Sequence, residues 1–203
     1  ADNPKHIHWK LTAKIGTPGK FMLRQYEESR RSKMLVIFGK NLKEYRENSD
    51  EFETAVSAAA SLGVSAIRDQ RKVKVLAGDD ISKLARGQMY ALKDFRVQSR
   101  KHLLEDLCLV EASENAMELK DVCQFAAAKH PDVSLAIIVV GSTITTEQMQ
   151  RIKMYLPANV GILFVVVDST DKAEPRFTEI NGMKIFTIQE IQDLPGLMGR
   201  FIK

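Results

Sequence analysis

Three apolar runs stand out along the chain: MLVIF at 34–38, LAIIVV at 135–140 and GILFVVV at 161–167. Each is rich in Val and Ile and shows no polar alternation, the pattern of strands buried on both faces of a parallel sheet. VKVLAG at 73–78 and MKIF at 183–186 read as weaker, more peripheral strands. Helical periodicity separates these runs. Phe52, Val56, Ala59 and Leu62 recur so that one face of a helix can lie on the sheet. Leu119, Val122, Cys123 and Ala126 do the same in a helix that must end near His130-Pro131, because proline disfavours helical backbone in the residue before it. Thr145-x-x-Gln148 and Thr187-x-x-Glu190 have capping-box spacing and predict helices over about 146–156 and 188–194. LLEDLCLVE at 103–111 reads as a helix, whereas 79–97 is compatible with an edge strand, a short helix or a loop.

Alternation of strand and helix predicts an α/β fold, a doubly wound, mostly parallel sheet flanked by helices. Ligands of such sheets sit beyond the carboxyl ends of the strands, so the strand-end loops are where chemistry is sought. After 34–38 the loop is GKNLKEYREN, with Lys40; after 135–140 it is GSTITTEQ, with Ser142; after 161–167 it is DSTDKAEP, with Asp168. Lys40 and Ser142 are candidates for holding an anion, and Asp168 for a hydrolytic role or a turn. The Gly-Ser-Thr at 141–143 is equally well explained by capping of the helix that follows. Neither a nucleophile elbow nor a dinucleotide fingerprint is present. No catalytic, cofactor-binding or metal-ligating residue is therefore assigned, and no cofactor is expected.

The 203 residues suit one domain with a short arm, and the mild, well-mixed charge of +4 gives no nucleic-acid footprint. Two cysteines, Cys108 and Cys123, make neither a disulfide framework nor a zinc site and suit a reducing, cytosolic setting. No apolar run approaches the roughly 20 residues that span a bilayer. The chain opens on ADNPKH, inside a patterned segment, and reads as a piece of something longer.

The amino end, DNPKHIHWKLTAKIGTPGKFMLRQYEE, is the densest pattern in the chain. GTPGKF at 16–21 has two residues between its glycines where a Walker A loop has four, and Phe21 where a hydroxyl should hold magnesium, so it reads as a turn. His6 and His8 share a strand face but fall short of the three or four ligands zinc needs. The expectation is a β-hairpin arm over 1–33, turning at Gly16–Gly19, packed on a domain over 34–203 with Trp9 buried.

This end closely resembles the "domain of unknown function 58" family, on Asp2, Pro4, Ile7, Trp9, Lys10, Thr12, Ala13 and Lys14, then Arg24, Tyr26 and Glu27. FETAVSAAASLG at 52–63 is similar to the family's first helix, and from about residue 79 only the order of elements agrees. The resemblance implies a von Willebrand factor A-like domain. It also implies a cytoplasmic position in a protein anchored by transmembrane helices outside this chain, and action beside a MoxR-type AAA+ ATPase. Many such domains bind a divalent cation through D-x-S-x-S after the first strand; here that loop reads FGKNLK, and Lys40 brings positive charge toward the ion position. The function expected is a non-catalytic protein-interaction domain. The alternative is an anion-binding or hydrolytic domain using Lys40, Ser142 and Asp168.

Overall fold

The three apolar runs form the middle of a seven-stranded sheet in a computed structural model that describes residues 33–170 and 174–198. The hairpin expected over 1–33, with Asp2, Pro4, Ile7, Trp9, Lys10, Thr12, Arg24 and Glu27, lies outside the described residues but for Lys33. In chain order the main elements are β1 (Lys33–Phe38), α1 (Glu51–Arg68), β2 (Lys72–Gly78), β3 (Leu92–Phe95), α2 (Arg100–Leu107), α3 (Leu119–Lys129), β4 (Val133–Gly141), α4 (Thr146–Tyr155), β5 (Gly161–Val167), β6 (Arg176–Ile180), β7 (Met183–Ile188) and α5 (Leu194–Met198). The strands lie in the order β3-β2-β1-β4-β5-β7-β6. The five inner strands are parallel, and β3 and β6 pair antiparallel at the two edges.

The absence of alternation in β1 has a direct cause. Met34, Val36 and Phe38 pack into one core with α1, Leu103 of α2 and Leu194 of α5; Leu35 and Ile37 pack into a second core with α3 and α4. Both faces are covered, so every position from Met34 to Phe38 is apolar. Cys123 lies in the second core on the face predicted for it. Among the described residues no helix is long and apolar enough to cross a membrane.

Among the outer elements the structure meets two expectations and departs from two. Residues 73–78 and 183–186 form β2 and β7, outside β1, β4 and β5 as expected, and β3 and β6 flank them in turn; Lys93, Asp94, Arg176 and Glu179 leave those edge strands too polar for an apolar run to mark them. Within 79–97 the edge strand β3 forms, preceded by a 3-10 turn at Ile81–Lys83. The helix read over 103–111 starts earlier and stops at Leu107: Ser99 caps it by accepting from the His102 N–H at 3.2 Å. Thr187 caps no helix. It is a buried residue of β7 paired with Val166, and a 3-10 turn at Ile191–Asp193 leads into α5. Cross-strand pairing of a β-branched residue prevails over the local capping pattern there.

Candidate functional site

The carboxyl ends of β1, β2, β4 and β5 bring four loops to one edge of the sheet. The loop after β1 is fastened at both ends. The Asn41 side chain is buried, accepts from the Lys43 N–H at 3.0 Å, and donates to the Ala116 carbonyl at 2.7 Å. The Tyr45 hydroxyl donates to the Gly39 carbonyl at 2.6 Å, and its ring meets Phe52 edge-on. A bridge between Asn41 and Ser113 ties this loop to the segment that precedes α3.

At its centre lies a carboxylate with no solvent exposure. Glu51, the first residue of α1, accepts from the Arg46 N–H at 3.0 Å, from the Ser142 N–H and hydroxyl at 3.0 and 2.7 Å, and from the Ser169 N–H and hydroxyl, both at 3.2 Å. Burial pushes its pKa up, but the hydrogen bonds from Ser142, Arg46 and Ser169 outweigh burial and hold the carboxyl below its usual range. The Arg46 guanidinium closes the cluster, donating to the Ser142 hydroxyl at 3.4 Å and reaching Asp168 at 3.6 Å and Glu51 at 3.9 Å. Asp168 in turn accepts from the Thr170 N–H and hydroxyl at 3.1 and 2.7 Å, which shapes the turn after β5.

Of the candidates read from the sequence, Ser142 and Asp168 are brought together around Arg46. Lys40 is not: its ammonium turns to Asp79 at the end of β2, 3.3 Å away, so Lys40 and Ser142 do not form one anion site. Glu51 and Arg46 carry no such mark in the sequence. An acidic residue in a helix's first turn is ordinary, and nothing local to position 51 signals that Ser142 and Ser169 converge on it.

The same edge has an open side. A cleft of about 230 Å³ lies between the β1 loop, the amino end of α3 and α4, floored by Val140, Leu119, Ile144 and Ile152. The Glu44 carboxyl faces it, accepting from the Leu119 N–H at 2.6 Å and the Asn41 N–H at 3.3 Å. Burial pushes Glu44 up to about 7, against the lowering effect of those two N–H groups.

The donor set does not fit a divalent cation. Gly39, Asn41 and Lys43 follow β1 in the D-x-S-x-S spacing, so none of the three positions carries the carboxylate or hydroxyl that pattern supplies to an ion. The Glu51 oxygens are filled by protein donors, and a guanidinium lies against Asp168. Among the described residues no group of three or more His, Cys, Asp or Glu is placed to hold a metal. Gly141, between the two halves of the site, allows the close approach: a Cβ there would fall 2.5 Å from the Glu44 carbonyl and 2.8 Å from Glu51. Gly141→Ala is expected to destabilise the domain by about 1–3 kcal/mol, read as a lowered urea midpoint.

Neither a protein-family model nor a curated protein matches the chain. Among solved structures it is similar to the Ro (Rsr) protein of Deinococcus radiodurans, at 12% identity and a TM-score of 0.51 over 85% of this chain and 34% of that one. It is also similar to a von Willebrand factor type A protein from Catenulispora acidiphila (12% identity, TM-score 0.46, 84% of this chain and 42% of that one). A third is the manganese-loaded TRAP protein of Plasmodium vivax (10% identity, TM-score 0.47, 86% of this chain and 74% of that one). The chain thus spans less than half the length of the first two. The likeness is one of fold alone, and in this chain that fold is a mostly parallel seven-stranded sheet flanked by helices.

Proposed function

We propose that this chain is a non-catalytic protein-interaction domain, the cytoplasmic part of a membrane-anchored protein that acts with a MoxR-type AAA+ ATPase. The Glu51 cluster carries the reading. Ser142 has a hydroxyl on a carboxylate, the first two members of a nucleophile–base arrangement. That carboxylate is saturated by five donors and held below its usual range, which makes it a poor base at neutral pH. The site's polar groups are spent on one another and fix the loops. A surface of fixed loops on a rigid sheet suits recognition of another protein. The ATPase and the membrane tether are supported by the amino-terminal motif from Asp2 to Glu27, the tether lying in segments outside this chain.

The test is capture of the cognate MoxR-type ATPase by the full-length protein. Saturable capture, lost on competition with the isolated chain, is the expected result. Recovery of no ATPase under either ATP or ADP would overturn the proposal.

A further inference from the structure

Resting on the membrane-anchored reading above, we infer that the amino edge of the sheet is a surface for anionic lipid headgroups, so that this edge lies on the bilayer and the carboxyl edge turns away from it. Charge is unevenly divided in the fold. Among the described residues Asp and Glu outnumber Lys and Arg by 22 to 20. The turns that feed the parallel strands have the opposite sign. The turn from α1 into β2 carries Arg68, Arg71 and Lys72 against Asp69, and the turn from α3 into β4 carries Lys129 against Asp132. Lys33 opens β1 and Lys153 lies in the last turn of α4, which brings the edge to six cations and two carboxylates. Lys33 pairs with Asp132 at 3.1 Å and Arg68 with Asp69 at 3.2 Å. Lys153 donates to the Asn181 carbonyl at 3.0 Å, while Arg71, Lys72 and Lys129 have no carboxylate partner among the described residues. Residues just inside the edge do not reverse this excess. Lys74 pairs with Asp94 at 2.9 Å, Lys184 stands opposite Glu179 in the β6–β7 ladder, and Arg96 and Lys101 pair with Glu105 and Asp106, leaving Arg100 over. All six edge cations are charged at neutral pH, so the attraction for anions needs no change of protonation.

Apolar groups at the same edge favour lipid over other anions. Met154 and Tyr155, 83% and 41% exposed, follow Lys153 at the end of α4, and an aromatic beside cations suits the membrane–water interface. Two depressions open here. One, of about 250 Å³, has Met34, Leu62, Ala66 and Leu194 in its walls, with Arg68 and Arg71 against Asp69. The other, of about 410 Å³, has Leu135, Val160 and Ile162 in its walls, with Lys153 and Lys184 and no carboxylate. Cations beside apolar walls match a headgroup phosphate and the glycerol and acyl groups below it, whereas a free phosphate uses the cations alone. The topology agrees: residue 32 joins β1 at this edge, and residues 1–32 hold seven Lys or Arg against three Asp or Glu. A chain running back to a tether therefore leaves the domain on the lipid side.

The test is flotation of the full chain with vesicles of phosphatidylcholine alone and of phosphatidylcholine mixed with phosphatidylglycerol. Binding to the mixed vesicles is expected to be at least about tenfold tighter at low salt and to lose that advantage at high salt. Lys72→Glu combined with Lys129→Glu should weaken it at least about tenfold, and Lys72→Gln with Lys129→Gln by an intermediate factor. Both lysines are exposed and unpaired among the described residues, so unchanged urea midpoints should accompany the loss. Lys83→Glu combined with Arg86→Glu, the same change of charge at the carboxyl edge, should bind as the native chain does. Hydrogen–deuterium exchange on the vesicles should show added protection at 68–72, 129–133 and 153–157. Equal binding to the two vesicles, equal loss in the two charge-reversed variants, release by inorganic phosphate at matched ionic strength, preference for a single-stranded oligonucleotide, or protection confined to the carboxyl edge would each overturn the inference. If the vesicles bind nothing while the full-length protein captures the ATPase, the lipid inference fails and the interaction reading stands. If vesicle binding is as expected but no ATPase is captured, the interaction reading fails.

Discussion

Glu51→Ala is expected to lower the stability of the domain by about 3–5 kcal/mol, the range for removing one member of a buried, hydrogen-bonded charge cluster. The magnitude comes from what the mutation leaves behind. The N–H groups of Arg46, Ser142 and Ser169 all end on this carboxylate, and truncation takes away their acceptor. The guanidinium of Arg46 also loses its inner partner. Glu51→Gln keeps the shape but turns one acceptor into a donor facing donors, so an intermediate loss of about 2 kcal/mol is expected. Arg46→Ala should matter less, since that side chain is 42% exposed and its ion pairs are long. Urea unfolding of the three variants checks the order; a loss below about 1 kcal/mol for Glu51→Ala would mean the donors find other partners.

Glu44→Gln is expected to do the opposite above neutrality. A carboxyl that titrates near 7 in the folded chain and near 4.5 when unfolded binds more protons folded than unfolded between those values. Stability therefore falls as pH rises through that window, by up to about 2–3 kcal/mol, fully felt above pH 7 and absent below pH 4.5. Glutamine removes the penalty while still accepting from the Leu119 N–H. The variant should thus match the native chain or fall slightly below it at pH 4, and exceed it at pH 8. Urea midpoints at pH 4, 6 and 8 read this directly, and a difference independent of pH would contradict the assignment. A group that destabilises its own fold at neutral pH is the kind that persists for function.

The sequence made the centre of the fold legible and left its edges dark, for a physical reason. Met34–Phe38, Leu135–Val140 and Gly161–Val167 are covered on both faces, so burial alone wrote the pattern. Among the described residues β3 and β6 pair on one side only and expose Lys93, Asp94 and Glu179, so their residues resemble loop. Thr145-x-x-Gln148 acts as the capping box it resembles, with both reciprocal bonds in place. Thr187-x-x-Glu190 does not, because residue 187 is already committed to the ladder with β5.

The site was half legible in the same way. Ser142 and Asp168 could be found because the end of a parallel strand is a place as well as a residue. Glu51 could not, since its serine donors lie 91 and 118 residues further along and meet it only when β4 and β5 are in register beside β1. Lys40 misled for the complementary reason: a lysine's long stem lets its charge land on Asp79, two strands away from Ser142.

We propose that the carboxyl edge of the sheet is the surface on which the partner docks. Hydrogen–deuterium exchange of the full-length protein, with and without the proposed partner, a MoxR-type ATPase, tests this most directly. The account predicts added protection in the loops at 39–46, 113–119 and 142–145. Protection confined to the opposite edge, at 129–133 and 157–161, or none at all under conditions where the ATPase is captured, would contradict it.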